Sequence, residues 1–282
     1  MGEHQGADGP AAAPEPGVGR VSREPARGAE PADPWARLRA ATPARVGLGR
    51  SGDSLPVRAN LAFDLDHARA RDAVRATLDV AALADALRAG GHESVVAHSA
   101  VGDRATYLRR PDLGRRLADD SREAVAALRG SGPPPDAVFV VADGLSADAV
   151  LEHAPAVLSR SAARLGAAGW HLAPTVIVTG GRVAIGDDIG GLLGAAQVVV
   201  LLGERPGLSV PRSLGAYLTA APRPGRSDAE RNCISNIHAR GLSADEAAEL
   251  LVHLMLEARR VGGTGVMLKD ERASRARLTF TG

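Results

Sequence analysis

Residues 137–150 read AVFVVADGLSADAV. The first six are small apolar, β-branched or aromatic residues with no polar alternation, the signature of a strand covered on both faces, as in a parallel sheet flanked by helices. The strand ends at Asp143, Gly144 turns the chain, and Ser146 stands as candidate N-cap of the helix that follows. Strand-like runs alternate with helical patterns on either side, with no internal repeat in the sequence. Runs SVVAHSAV (94–101), TVIVTG (175–180), QVVVLLG (197–203) and AYLTAAP (216–222) alternate with helical patterns around 113–129, 147–166, 186–194 and 244–260. The last helix opens at Ser243 with Glu246 three residues on, a capping box. Strands alternating with helices predict an α/β fold with a mostly parallel sheet. Ligands in such folds gather at the carboxyl ends of the strands, so the strand-end loops are where function is sought.

Three segments follow from composition. Residues 1–33 are rich in Ala, Pro, Gly and Glu with almost no large apolar residue and read as a disordered tail. Residues 34–91 read as a helical N-terminal domain, with Val74, Leu78, Val80, Leu83 and Leu87 at helical spacings and Gly90-Gly91 as a stop. Residues 92–282 form the α/β domain.

The stretch ARVGLGRSGDSLP (44–56) contains G-x-G-x-x-G at Gly47, Gly49 and Gly52. A dinucleotide turn needs a buried strand before the first glycine and a helix opening at the third. The preceding residues 34–46 hold five Arg or Pro, and Pro56 disfavours helix at the residue before it, so the context argues for a structured glycine-rich loop instead.

Charge and rare residues narrow the classes. A formal net charge of +1, from 34 basic and 33 acidic residues, lacks the electrostatic footprint of a nucleic-acid or anionic-membrane binder. Seven aromatic residues leave little for base stacking. Lys269 is the one lysine, and no G-x-x-x-x-G-K precedes it. One cysteine, Cys233, excludes an intrachain disulfide and multi-cysteine metal sites. No apolar stretch approaches the roughly 20 residues that span a bilayer, and no signal-like segment opens the chain, which reads as cytoplasmic. H-E-x-x-H and G-x-S-x-G are both missing.

Several strand-end groups remain. Asp187 and Asp188 start a helix, where acids ordinarily stabilise the helix dipole on a solvated face and only rarely hold a metal. Glu204 and Arg205 directly follow an apolar strand: either a solvated pair at the sheet rim, or an acceptor for a ligand's amide or hydroxyl groups. RNCISNIHARG (231–241) holds Cys233 and His238, which invites a nucleophile reading against the commoner one of a small buried hydrophobe.

Taken together and in order, ARVGLGRSGDSLP with DLDHARARDAV, VFVVADGLSADAV, GRVAIGDDIG, LLGERPGLS and RNCISNIHARGLS resemble the small (light) subunit of adenosylcobalamin-dependent ethanolamine ammonia-lyase, over roughly residues 35–268. The resemblance implies a Rossmann-like α/β part behind a helical N-terminal part, pairing with a large TIM-barrel subunit that carries the ethanolamine site, in a hexamer of large/small pairs. It implies adenosylcobalamin held between the subunits, with Val183, Glu204 and Cys233 as this chain's cofactor contacts and no catalytic residue of its own. The reaction implied is conversion of ethanolamine to acetaldehyde and ammonia. It also implies a cytoplasmic location inside a bacterial microcompartment, although the 1–33 tail shows no amphipathic pattern. No histidine follows an aspartate by two residues, so D-x-H-x-x-G is missing and base-on binding, the family's mode, is expected. Two rivals stand beside this reading: a stand-alone Rossmann-type oxidoreductase and a purely structural assembly subunit.

Overall fold

A computed structural model describes residues 33–268, and the chain divides into two units, Met1–Gly47 and Leu48–Gly282. In the described part of the first, helix α1 (Ala36–Ala41) is entered through Asp33, which accepts from the Trp35 amide at 2.9 Å and pairs with Arg39. The calls on residues 1–32 and on the C-terminal RARLTFTG lie outside the described residues.

In the second unit the glycine-rich loop closes on itself. Ser51 and Ser54 exchange backbone hydrogen bonds of 2.8 and 3.2 Å around Gly52, whose φ is +62°. Helix α2 (Val57–Arg75) starts only after Pro56, so no helix N-terminus stands at the third glycine to receive a phosphate. Helix α3 (Val80–Ala89) follows, capped by Asp79, which accepts from the Ala82 amide at 2.9 Å.

From there strands and helices alternate: β1 (Ser94–His98), α4 (Arg104–Arg109), α5 (Asp119–Ala127), β2 (Ala137–Ala142), α6 (Ala147–Ala167), β3 (Thr175–Thr179), α7 (Ile185–Leu193), β4 (Gln197–Gly203), β5 (Leu214–Ala220), β6 (Arg231–Ile237) and α8 (Ala244–Val261). The sheet order is β1-β3-β2-β4-β5-β6. The first four strands are parallel, while β5 and β6 are each antiparallel to the preceding neighbour. The fold is therefore mixed α/β with a mostly parallel six-stranded sheet.

The unbroken apolar run of β2 is explained by two cores. Ala137, Phe139 and Val141 face one cluster with Leu83, Leu87, Leu158 and Met255, on the side of α3, α6 and α8. Val138, Val140 and Ala142 face the other with Val125, Ile185 and Ile189, on the side of α5 and α7. Each large side chain so buried stabilises the fold by about 1.5–3 kcal/mol. The Ser243–Glu246 capping box forms, with the Ser243 amide donating to Glu246 at 2.8 Å and the Glu246 amide to the Ser243 hydroxyl at 3.2 Å.

Some boundaries differ from the sequence reading. The 94–101 run is strand only to His98; the Ser99 amide still donates to the Thr179 carbonyl at 3.1 Å, but Ser99 also forms an isolated bridge with Leu117, where the ladder with β3 ends. The 113–129 pattern splits into a 3-10 turn, Leu113–Arg115, and α5. The strand read at 216–222 lies at Leu214–Ala220, since its register is set by antiparallel pairing of Leu214 with Gly203. Helix α4 and strand β6 are additional; β6 is an edge strand whose exposed positions are polar, so it carries no apolar run.

Candidate functional site

The parallel strands β2, β3 and β4 have their carboxyl ends at the same end of the sheet, and the loops there carry most of the polar side chains singled out above. Glu204 is the first residue after β4. Its amide donates to the Ser213 carbonyl at 2.9 Å, which closes the 204–213 loop back onto β5. The half-buried carboxylate accepts from the Ser213 hydroxyl at 2.6 Å and the Asn236 amide at 3.4 Å, both on Oε2. Oε1 receives no donor among the described residues, so Glu204 keeps an open acceptor and is not simply solvated at the rim. Gly215 makes this possible: a Cβ there would lie 2.8 Å from Glu204 Oε1 and 2.9 Å from Tyr217 Cε2.

Tyr217 links the candidates and was not singled out from sequence. It pairs in register with Cys233 across β5 and β6, which sets the two side chains side by side. Burial, then the Cys233 thiol and Glu204 carboxylate beside it, push the phenol's pKa well up. Cys233 is exposed, which overturns the buried-hydrophobe reading. Its sulfur is still partly desolvated, which raises the thiol's pKa; Tyr217 opposes the rise and the Glu204 carboxylate adds to it. On the order of 13 Å of strand separates Cys233 from Ile237, so His238 is not beside the thiol. The imidazole instead accepts from the Arg240 amide at 3.2 Å. Val183, half-buried in the turn before α7, packs against the same apolar cluster as Tyr217. The structure thus brings Glu204 and Cys233 to one aromatic ring and places Val183 on the cluster beneath it.

A second aromatic closes the other side. One cleft is lined by Tyr107, Leu145, Arg182, Leu202, Glu204 and Tyr217. The Tyr107 hydroxyl donates to the Gly181 carbonyl at 3.1 Å, and burial raises its pKa to about 12. Two guanidinium carbons lie over its ring, Arg182 at 4.0 Å and Arg104 at 4.7 Å. Arg104 donates to the Val74 and Gly144 carbonyls at 2.7–2.9 Å and stands 3.6 Å from Asp143. Asp143, ambiguous from sequence, is buried; desolvation raises its pKa although it accepts from the Gly181 amide at 3.3 Å.

Two expectations are corrected. Ser146 makes no capping bond; its hydroxyl donates to the Pro211 carbonyl at 3.1 Å, tying the start of α6 to the loop after Glu204. Asp187 and Asp188 are buried rather than solvated. Asp187 receives both terminal nitrogens of Arg231 at 2.7 and 2.6 Å, while Asp188 receives Arg122 at 2.6 Å and the Leu117 amide at 3.0 Å. Among the described residues, no group of three His, Cys, Asp or Glu is placed to hold a metal, and no helix is long and apolar enough to cross a membrane.

Comparison with known proteins supplies the context for this rim. The family model described as Ethanolamine ammonia-lyase light chain (EutC) matches residues 32–269. Proteins named ethanolamine ammonia-lyase small subunit are similar at high identity. That of Xanthomonas campestris pv. campestris is 55% identical over 244 residues, covering 86% of this chain and 89% of the relative. The Pseudomonas syringae pv. tomato protein is 52% identical over 244 residues, 86% of this chain and 85% of the relative. The Bradyrhizobium diazoefficiens protein is 55% identical over 249 residues, 88% and 95%.

Proposed function

We propose, from the premise that the chain belongs to the ethanolamine ammonia-lyase light chain family, that it is the cofactor-clamping small subunit of an adenosylcobalamin-dependent ethanolamine ammonia-lyase. In this reading Val183, Glu204 and Cys233 contact the cofactor, a large TIM-barrel subunit carries the ethanolamine site, and this chain has no catalytic residue. The finer expectations travel with it: a Rossmann-like sheet, residues 34–91 as a helical N-terminal part, base-on cobalamin, a hexamer of large/small pairs and a microcompartment location.

The observation that supports it best is the gathering of Glu204 and Cys233 on Tyr217, with Val183 on the adjoining cluster. These residues fit the group. A corrin presents a rim of carboxamides around an apolar ring and needs a broad surface with a few placed polar groups. Glu204 Oε1 is an acceptor without a protein donor, Leu145 and Leu202 supply an apolar wall, and the buried Nε of Arg182 is a donor without a partner. When bound, adenosylcobalamin supplies the radical chemistry by homolysis of its cobalt-carbon bond. The chain's own task is then to orient: Glu204 accepts from a peripheral amide, and Val183 and Cys233 add compact contact beside it.

The test is acetaldehyde release from ethanolamine by this chain, a family large subunit and adenosylcobalamin, omitting each in turn. Activity that needs all three is the expected result. Activity independent of this chain, or of the cobalamin, refutes the assignment.

A further inference from the structure

We propose that Arg182 is the anion anchor of the cleft and holds the phosphodiester of the cofactor's nucleotide loop. This rests on the adenosylcobalamin reading above. Arg182 is held rigidly. Its amide donates to the Gly114 carbonyl at 2.7 Å, and its stem fills the space where a Cβ on Gly114 would come within 2.8 Å of Arg182 Cγ. The guanidinium lies 4.0 Å over the Tyr107 ring, with Nη2 donating to the Tyr107 carbonyl at 3.0 Å. Its charge is nevertheless uncompensated: among the described residues no carboxylate lies within ion-pair distance, and Nε is buried without any acceptor. Arg104 on the same ring, by contrast, has Asp143 and two backbone carbonyls.

A half-buried, preorganised cation against an apolar wall is costly unless an anion completes it. A guanidinium fork matches a phosphate's oxygens bidentately. The corrin's carboxamides are neutral, and the nucleotide-loop phosphodiester is the cofactor's one peripheral anion. Glu204, lining the same cleft with an open acceptor, then takes a donor from the rim, so the two charged side chains read different chemistry on one ligand.

The experiment titrates the assembled two-subunit complex spectroscopically with adenosylcobalamin and with adenosylcobinamide, which lacks the nucleotide loop and its phosphodiester. Arg182→Gln is expected to weaken adenosylcobalamin by about 10- to 150-fold, the range for hydrogen bonds to a charged group. Adenosylcobinamide affinity should stay unchanged in the same variant, and Arg182→Lys should recover part of the loss. Arg205→Gln, which removes the exposed arginine of the same cleft, should leave the ratio of the two ligands as in wild type. Equal losses for both ligands, no loss for either, Arg182→Lys as weak as Arg182→Gln, or a selective loss on Arg205→Gln alone overturns the assignment. Wild-type complex that binds neither ligand sinks the cobalamin reading itself, a different failure from that of Arg182.

Discussion

Arg231 and Asp187 form a two-pronged ion pair, 2.6 and 2.7 Å, in which both side chains are 3% exposed. The pair ties β6, the strand that carries Cys233, to α7, the helix that follows Val183. Thr219 on β5 receives a further bond from Arg231 at 2.9 Å, so three elements under the candidate site share one buried guanidinium.

Removing one partner of such a pair leaves a charge without compensation. Asp187→Ala is expected to destabilise the protein by about 3–5 kcal/mol. Asp187→Leu with Arg231→Met should cost far less than that single change, because no buried charge remains. Urea unfolding of the three proteins decides it; a double variant as unstable as Asp187→Ala would show that the pair does more than neutralise charge.

Glu204→Ala removes the open acceptor beside Tyr217. Adenosylcobalamin affinity of the assembled complex should fall by about 1–3 kcal/mol, roughly 5- to 150-fold, as expected when a ligand donor is left unpaired. An unchanged dissociation constant removes Glu204 from the site.

How much of this was legible in the chain depends on burial. Strands β2 and β4 announce themselves because both faces are covered and, apart from Gln197 at the start of β4, no position is polar. Strand β6 does not, because it is an edge whose outward residues include Cys233, Ser235 and Asn236. Asp187 and Asp188 obey a local rule for helix starts, and their buried state comes from Arg231 and Arg122, 44 and 66 residues away. Glu204 and Cys233 could be named from a family likeness. Tyr217 and Arg182 could not, since what distinguishes them is strand register and an unpaired nitrogen, neither of which leaves a spacing in the sequence.

Gly215→Ala probes the same corner from the backbone. The added methyl meets the end of a flexible Glu204 side chain at 2.8 Å and the edge of the Tyr217 ring at 2.9 Å, so the carboxylate must swing aside and the ring must shift with it. Stability should drop by about 1 kcal/mol, the low end for overpacking. Cofactor affinity should fall as far as in Glu204→Ala. Wild-type affinity in this variant would show that the carboxylate's position does not matter.

Asp143 gives a pH signature. Burial raises its pKa in the folded state above the unfolded value of about 3.9, so the folded protein holds this proton more tightly. Its stabilising contribution is complete below about pH 4 and is lost as pH rises through the folded pKa. Asp143→Asn keeps an acceptor for the Gly181 amide but cannot ionise. Its melting temperature should therefore gain on wild type as pH is raised from 4 to 8. A difference independent of pH would mean that desolvation of Asp143 is not limiting.

Cys233 combines an exposed position with a thiol whose pKa is raised by desolvation and by Glu204. Because the thiolate is the nucleophile, iodoacetamide should modify it slowly at pH 7 and faster as pH rises, later than an ordinary cysteine would. Glu204→Gln removes one of the two causes and should shift that profile to lower pH. Adenosylcobalamin added to the assembled complex should protect the thiol if Cys233 lies under the cofactor, whereas alkylation at the same rate with and without it would place the ligand elsewhere. Protection by the large subunit alone would instead put Cys233 in the subunit interface, and comparing the rates for chain, complex and loaded complex separates the two.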